Sequence, residues 1–584
     1  MKRLNFLFFA LPLLLVVNVI CAQSLVLSQR TASQTAIVIA DNSTQPTSKA
    51  AKELQKYIKK TLSIDVPITN NGNAKNQIII GQGDYIKSMA PEVNTSKLGT
   101  DGYTILTKGT KLIIAGGSGK GPLFGVYTLL EKYFGCRMYT ADVMKIPKRS
   151  SLTIPAVNLT EIPTLILRDV FYLGAMDSSY SDWHKLIHAR STNSSLFGIF
   201  AHTGFQIMPP KQYFNTHPEY YSLVKGKRQP LQLDPTNKDV YNILLGWLNA
   251  KIKNQPQYNY WSVSVEDNGS YCECDKCLPV INNTKTPGGP TIALANNLAQ
   301  NFPNENISAL AYSYTRNPPQ NMKLAPNLNI MYCPQPKNYV SSYQGDDYAE
   351  MHNQFDGWQK LTKNIFVWDY VIDYSALESI HPNLLILKPN LQYFVNKGIK
   401  GYFAEGNIFP DGEFAELRAY LLSKLTWDPN LDDNAVIDDF LQGFYGDAAP
   451  SLKRYIQLTS SQLTGNNKLT ESMINNYDDL FDAAMNSVKN QPVYLKRVQK
   501  ERIPLQYSAV QAYLDEASKD PDQFFNNTQK YNNFNTHLEG FLTSVKQCGI
   551  KRLVHNENNL PLYQFYSDWK NKMSTLKSKS LMKK

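Results

Sequence analysis

The stretch YWSVSVEDNGSYCECDKC, from Tyr260 to Cys277, decides how this chain is read. Trp261, Val263 and Val265 alternate with Ser262 and Ser264, the period-2 pattern of a strand. The strand runs into two adjacent carboxylates, Glu266 and Asp267. An Asn268-Gly269 turn signal follows, then three cysteines spaced C-x-C-x-x-C. Acidic groups at the C-terminal tip of a buried strand are where a (β/α)-barrel keeps its chemistry. Neighbouring side chains of a regular strand face opposite ways. Glu266 and Asp267 therefore reach one cleft together only if the backbone bends at Asn268-Gly269.

Outward from this stretch, seven more segments read as strands: Leu165–Tyr172, Ser195–His202, Leu231–Asp234, Ile307–Thr315, Leu328–Cys333, Ile365–Tyr370 and Gly401–Ile408. Helical patterns lie between most of them, as in Val240–Lys253, Thr291–Asn301, Tyr348–Leu361 and Leu384–Lys397. Alternation at this count predicts a (β/α)8 TIM-type barrel over residues 159–450. The opening stretch is then its fourth strand, and Leu231–Asp234 its short third.

Residues 23–158 predict a small α/β domain. Its glycine-rich turn, GGSGKG at residues 116–121, lacks the Ser or Thr that a phosphate loop needs after Gly119-Lys120 and reads as a tight strand-to-helix turn. From Asp432 onward apolar residues recur at helical spacing, and residues 451–584 predict a helical C-terminal region. Short strand-like segments stand near residues 551–555 and 561–566. The lysine-rich end, residues 570–584, reads as solvated and disordered.

Lys2 and Arg3 precede Leu4–Ile20, apolar but for Asn5 and Asn18. This predicts a signal peptide over residues 1–22, cleaved after Ala22 and too short for a comfortable membrane span. A lipoprotein acylated at Cys21 is the weaker alternative, because Ile20 sits where a small residue is wanted. The expectation is a periplasmic or extracellular protein without a stable span. The net charge of +11 is partly local to the tail, and no Arg/Lys stripe with interleaved aromatics follows the chain, so no nucleic-acid partner is expected. A chain 42% hydrophobic is not disordered, and its 35 Tyr and 7 Trp suit carbohydrate clefts, where a ring face packs on a sugar.

The barrel reading collects a defined set at the strand tips. His202 ends the second strand. Glu266 and Asp267 end the fourth, and Tyr312 and Tyr314 the fifth. Trp368, Asp369 and Tyr370 end the seventh, and Glu405 the eighth. Carboxylates among aromatic rings fit glycosidic bond cleavage: one protonated carboxyl assists the leaving oxygen, and a second group supports the oxocarbenium-like transition state. In a substrate-assisted variant the second carboxylate orients the substrate's own 2-acetamido group. Glu405, Asp267 and Glu266 are the catalytic candidates. His202, Tyr312, Tyr314, Trp368, Asp369 and Tyr370 are the substrate-binding ones. No catalytic cofactor is expected. Cys272, Cys274, Cys277 and Cys333 compose a possible four-thiolate structural zinc site. Disulfides are the rival, favoured by export and by the even count left after signal removal.

Several motifs together resemble the domain-of-unknown-function 4838 family. They are HTGFQIMPPKQYFNTHPEYYSLVKGKRQPLQLDPTN from His202, VSVEDNGSYCECDKC from Val263, AYSYTRNPP from Ala311, VWDY from Val367, GYFAEG from Gly401 and ELRAYLLSKLTWDPN from Glu416. GPLFGVYTLLEKYFGCRMYT, from Gly121, is similar to the α-glucuronidase-type N-terminal domain that precedes them. The resemblance spans roughly residues 35–460. Some members belong to glycoside hydrolase family 163, endo-β-N-acetylglucosaminidases that act on complex N-glycans by a retaining, substrate-assisted mechanism. It implies a glycan substrate here, with Glu405 as general acid/base and Asp267 orienting the acetamide, or the reverse. It favours these two over Glu266, where relatives carry Asn or another residue. Where relatives read QLC, this chain reads QLD, ending at Asp234, which subtracts a thiol or adds a carboxylate. Two other expectations stand beside this one: an α-glucuronidase-like exo-hydrolase, with Arg316 or Arg168 for the uronate, and a non-catalytic glycan-binding protein.

Overall fold

A computed structural model of the chain describes residues 24–190, 195–335, 340–374, 377–408, 412–464, 467–550 and 562–582. The expected signal peptide, with Cys21, lies outside them. The chain divides into two compact units, one of residues 1–136 with 146–162, the other of residues 137–145 with 163–584.

The first unit is built on a six-stranded sheet, in the order Asn158–Glu161, Tyr103–Lys108, Lys111–Gly116, Asn76–Gln82, Thr35–Val38, Ile68–Thr69. Helices Gln45–Leu62 and Gly121–Leu129 pack on the sheet and on each other. The glycine-rich turn serves this packing. A Cβ at Gly125 would stand 2.6 Å from Ile114, and one at Gly116 would stand 2.1 Å from the Pro122 ring.

The second unit holds a curled sheet of seven parallel strands. They are Leu167–Phe171, Phe197–Ile199, Tyr260–Ser262, Asn306–Ala311, Leu328–Tyr332, Ile365–Tyr370 and Gly401–Glu405. From the second to the seventh, neighbours in sequence are neighbours in space, and the seventh returns to pair with the first. Between the first and second strands no ladder forms. Single bridges, Arg168 with Ile187 and His188 with Ser195, span that gap. There Asp169 accepts from His188 Nδ1 at 2.7 Å and from the Ala189 N–H at 2.6 Å, all buried.

Of the eight expected strands, the third is not part of this sheet. Leu231–Asp234 instead belongs to a hairpin, Tyr221–Val224 against Lys227–Leu233, outside it. The Tyr260 strand is also shorter than its alternation suggests. The Val263 N–H still donates to the Ser308 carbonyl at 2.8 Å, and beyond it backbone donors turn to side chains: Ser264 N–H to Thr203 Oγ1 at 3.0 Å and Glu266 N–H to Gln232 Oε1 at 2.9 Å. Those side-chain bonds satisfy the backbone without a neighbouring strand.

Phe197, Leu310, Met331, Phe366 and Phe403 fill the interior of the curled sheet. Helices Lys238–Asn254, Gly289–Asn301, Ala349–Leu361, Leu387–Asn396 and Ala415–Trp427 follow the second, third, fifth, sixth and seventh strands. From Asp433 the described residues are helical or in short connections, around a core that includes Ile503, Val510, Phe541 and Trp569. The segment near residues 561–566 and most of the lysine-rich end are not strand or coil but one helix, Leu562–Leu581. Trp569 and Met573, four residues apart, are buried in that core and anchor it. The strand-like segment near residues 551–555 lies outside the described residues. No described helix is long and apolar enough to cross a membrane.

Candidate active site

The C-terminal ends of the strands enclose a cavity of ≈ 260 Å³. It is lined by His202, Asp267, Leu310, Tyr312, Cys333, Trp368, Tyr370, Tyr374 and Glu405. Strand alternation explains who enters. Phe366 and Phe403 face the sheet interior, so Trp368, Tyr370 and Glu405, at even steps from them, do too. Asp369, one step off, points away. It is buried outside the cavity and accepts hydrogen bonds from the hydroxyls of Tyr343 and Tyr402. Burial pushes its carboxyl up to about 6, against the pull of those two donors.

Trp368 is held flat by Phe200, stacked at a 7° interplanar angle, and donates its indole N–H to Glu405 Oε2. Burial pushes the Glu405 carboxyl above the usual range. The Trp368 and Tyr374 donors and nearby His202 pull the other way, while the negative charge of Asp267 adds to the rise. Asp267 Oδ1 accepts the Tyr312 hydroxyl at 2.8 Å. Burial and the neighbouring Asp267 raise the Tyr312 phenol, so it stays a donor. His202 Nδ1 meets the Val265 carbonyl, which can only accept, so Nδ1 carries the hydrogen. The other ring nitrogen is then free to accept when the ring is neutral.

Two predicted residues fall outside this cavity besides Asp369. Glu266 turns away from the cavity: its Oε1 accepts the Phe205 N–H at 2.7 Å, and burial pushes the carboxyl up. Tyr314 is carried off by a turn at Ser313, whose φ is +52°, into the short helix Ser313–Thr315. Its hydroxyl meets Thr291 Oγ1 at 3.3 Å, and it shares a smaller cavity with Glu266. Tyr374 joins the rim without any signal in the sequence.

The cysteines also divide differently. Cys272, Cys274 and Cys277 cluster with Asp234, their ligand atoms all within 4.8 Å of one another and all four residues buried. Cys333 is not among them. It follows Met331 on the interior face of its strand and lines the cavity instead, so the four expected thiols do not meet: three of them cluster with one carboxylate. Cys272, Cys274, Cys277 and Cys333 form no disulfide.

The curled parallel sheet with acidic groups at its mouth is an α/β fold of TIM-barrel type, and its structural neighbours are glycoside hydrolases. A family GH115 4-O-methyl-α-glucuronidase with specificity for decorated arabinogalactans superposes with a TM-score of 0.55 at 12% identity, covering 89% of this chain and 77% of that one. A GH138 enzyme targeting pectin rhamnogalacturonan II gives 0.50 at 12% identity, over 94% and 80%. The chain belongs to the family described as Domain of unknown function (DUF4838), whose model matches residues 138–457. The model described as Glycosyl hydrolase family 67 N-terminus matches residues 22–129. Comparison with curated proteins gives no match.

Proposed function

We propose that the protein is a glycoside hydrolase acting on N-acetylglucosamine-containing glycans, in particular complex N-glycans, by a retaining, substrate-assisted mechanism. One observation carries the reading: Glu405 and Asp267 line the same cavity in contrasting surroundings. Two carboxylates whose environments differ are the usual basis for separate acid and anion roles. Glu405, pushed up by burial, is the general acid that protonates the leaving oxygen and later the base that activates water. Asp267, steadied by Tyr312, accepts the acetamide N–H and turns the substrate's carbonyl oxygen toward the anomeric carbon. The bond from that oxygen to the anomeric carbon forms as the glycosidic bond breaks, and water later opens the oxazolinium ring. Trp368, Tyr370 and Tyr374 supply faces for the sugar.

An α-glucuronidase reading fits less well. Among the described residues lining the cavity there are two carboxylates and no Lys or Arg to receive a uronate. Arg168, one proposed partner, is buried, donating to the carbonyls of Lys185 and Leu165. Arg316 is not among the lining residues. A glycan-binding protein without catalysis would not need a carboxyl pushed up beside a second carboxylate. The test is incubation with a complex-type glycoprotein, with mass-spectrometric detection of released glycan and proton NMR of the first anomer formed. The reading expects release with retained β configuration. Inverted product, or binding with no release, would refute it.

A further inference from the structure

We propose that Asp234, Cys272, Cys274 and Cys277 bind one zinc ion, a structural centre that fastens the 221–233 hairpin to the loop carrying Asp267. The proposal does not depend on the reaction proposed above.

The donor set selects the metal. Three sulfurs and one carboxylate oxygen suit zinc, whereas calcium and magnesium take oxygen ligands. A tetrahedral site with bonds of about 2.3 Å sets ligand atoms about 3.8 Å apart. Here the four ligand atoms lie within 4.8 Å of one another, and Cys277 Sγ stands 3.6 Å from Asp234 Oδ1. An iron–sulfur cluster would spread its thiolates farther apart, because its own irons and sulfides stand between them. Four protein ligands close the coordination sphere, so the centre is structural rather than catalytic.

The surroundings fit an anionic metal centre. Asp234 turns Oδ1 to the thiols and accepts Arg228 Nη1 on Oδ2 at 2.7 Å, which fixes the carboxylate and offsets its charge. The Leu223 N–H points at Cys272 Sγ at 3.4 Å. Thr236 Oγ1 lies 3.4 Å from Cys277 Sγ and 3.6 Å from Cys274 Sγ. Such outer donors orient ligands and stabilise thiolates. On binding, the three thiols release their protons to solvent and keep their electron pairs for the metal.

The centre also has a place in the fold. Asp234 closes the hairpin and the cysteines close the loop, and other bonds already join the two. Glu273 N–H donates to the Leu223 carbonyl at 2.8 Å, and Lys225 N–H to Glu273 Oε2 at 2.8 Å. Gln232 Nε2 donates to the Glu266 carbonyl at 2.9 Å and to Asn268 Oδ1 at 3.2 Å, so the hairpin grips the residues on both sides of Asp267.

The test is the zinc content of the full chain, purified under reducing conditions and measured by plasma mass spectrometry, with cobalt substitution as a second readout. Expected are about one zinc per chain and, with cobalt, the intense d–d and sulfur-to-metal absorption of a tetrahedral thiolate site. Asp234→Ala should weaken zinc retention against a chelator at least tenfold, and Asp234→Cys should keep the full content. Reduced wild-type protein that binds neither zinc nor cobalt would overturn the proposal. So would a disulfide between any two of the three cysteines in the native protein, or Asp234→Ala with unchanged retention.

Discussion

Tyr312 and Asp267 meet at the mouth of the sheet, the phenol hydroxyl donating to Asp267 Oδ1 at 2.8 Å. Tyr312 directly follows the strand Asn306–Ala311, while Asp267 lies in the bend that follows the neighbouring strand Tyr260–Ser262, so the bond ties that bend to the sheet. A carboxylate fixed in this way presents its other oxygen in a set direction. A hydrogen bond to a charged group is worth about 1.5–3 kcal/mol. Tyr312→Phe is expected to lower kcat/KM by roughly ten- to a hundredfold, checked by steady-state kinetics, while the melting temperature barely moves.

The Trp368 N–H favours the ionised form of Glu405, and removing it lifts that carboxyl further. With Glu405 as the general acid, Trp368→Phe should move the alkaline limb of the kcat/KM–pH profile to higher pH. A shift toward lower pH would contradict the assignment.

Asp369 gives stability a pH dependence. Burial pushes its folded carboxyl up to about 6 from an ordinary value of 3.8. The folded chain therefore keeps a proton that the unfolded chain has lost. The contribution is fully present below about 3.8 and is lost as pH rises through about 6, a change on the order of 3 kcal/mol. Asp369→Asn should flatten this slope in denaturant unfolding followed from pH 4 to 8. Both oxygens of Asp369 point away from the cavity, so activity should be largely kept.

Gly406 follows Glu405 directly, and a Cβ there would stand 2.0 Å from the Tyr172 ring. Tyr172 is buried. Gly406→Ala should destabilise the protein by about 1–3 kcal/mol, the range for overpacking, read as a lower melting temperature.

Much of the site could be read from the sequence because strands obey a two-residue period. Trp368, Tyr370 and Glu405 stand at even steps along their strands and line the cavity, and Asp267 joins them from beyond a strand tip. The same rule excludes Asp369, one step from residues that enter. Leu231–Asp234 carries strand-like alternation, yet its partner is the adjacent segment Tyr221–Val224. Composition does not say whether a strand pairs locally or joins a distant sheet. Tyr314 and Cys333 show the same limit. A left-handed Ser313 and the interior face of one strand decide where they go, and both are properties of the assembled backbone. Asp234 stands beside the three cysteines only in space, across some forty residues of sequence.

The central claim is that Glu405 and Asp267 act as a pair, and the rate of glycan release from a complex-type glycoprotein by Glu405→Gln and Asp267→Asn measures it. The account predicts that each variant folds like wild type and loses activity by a factor of about 10² or more. Wild-type rates in either variant would contradict it.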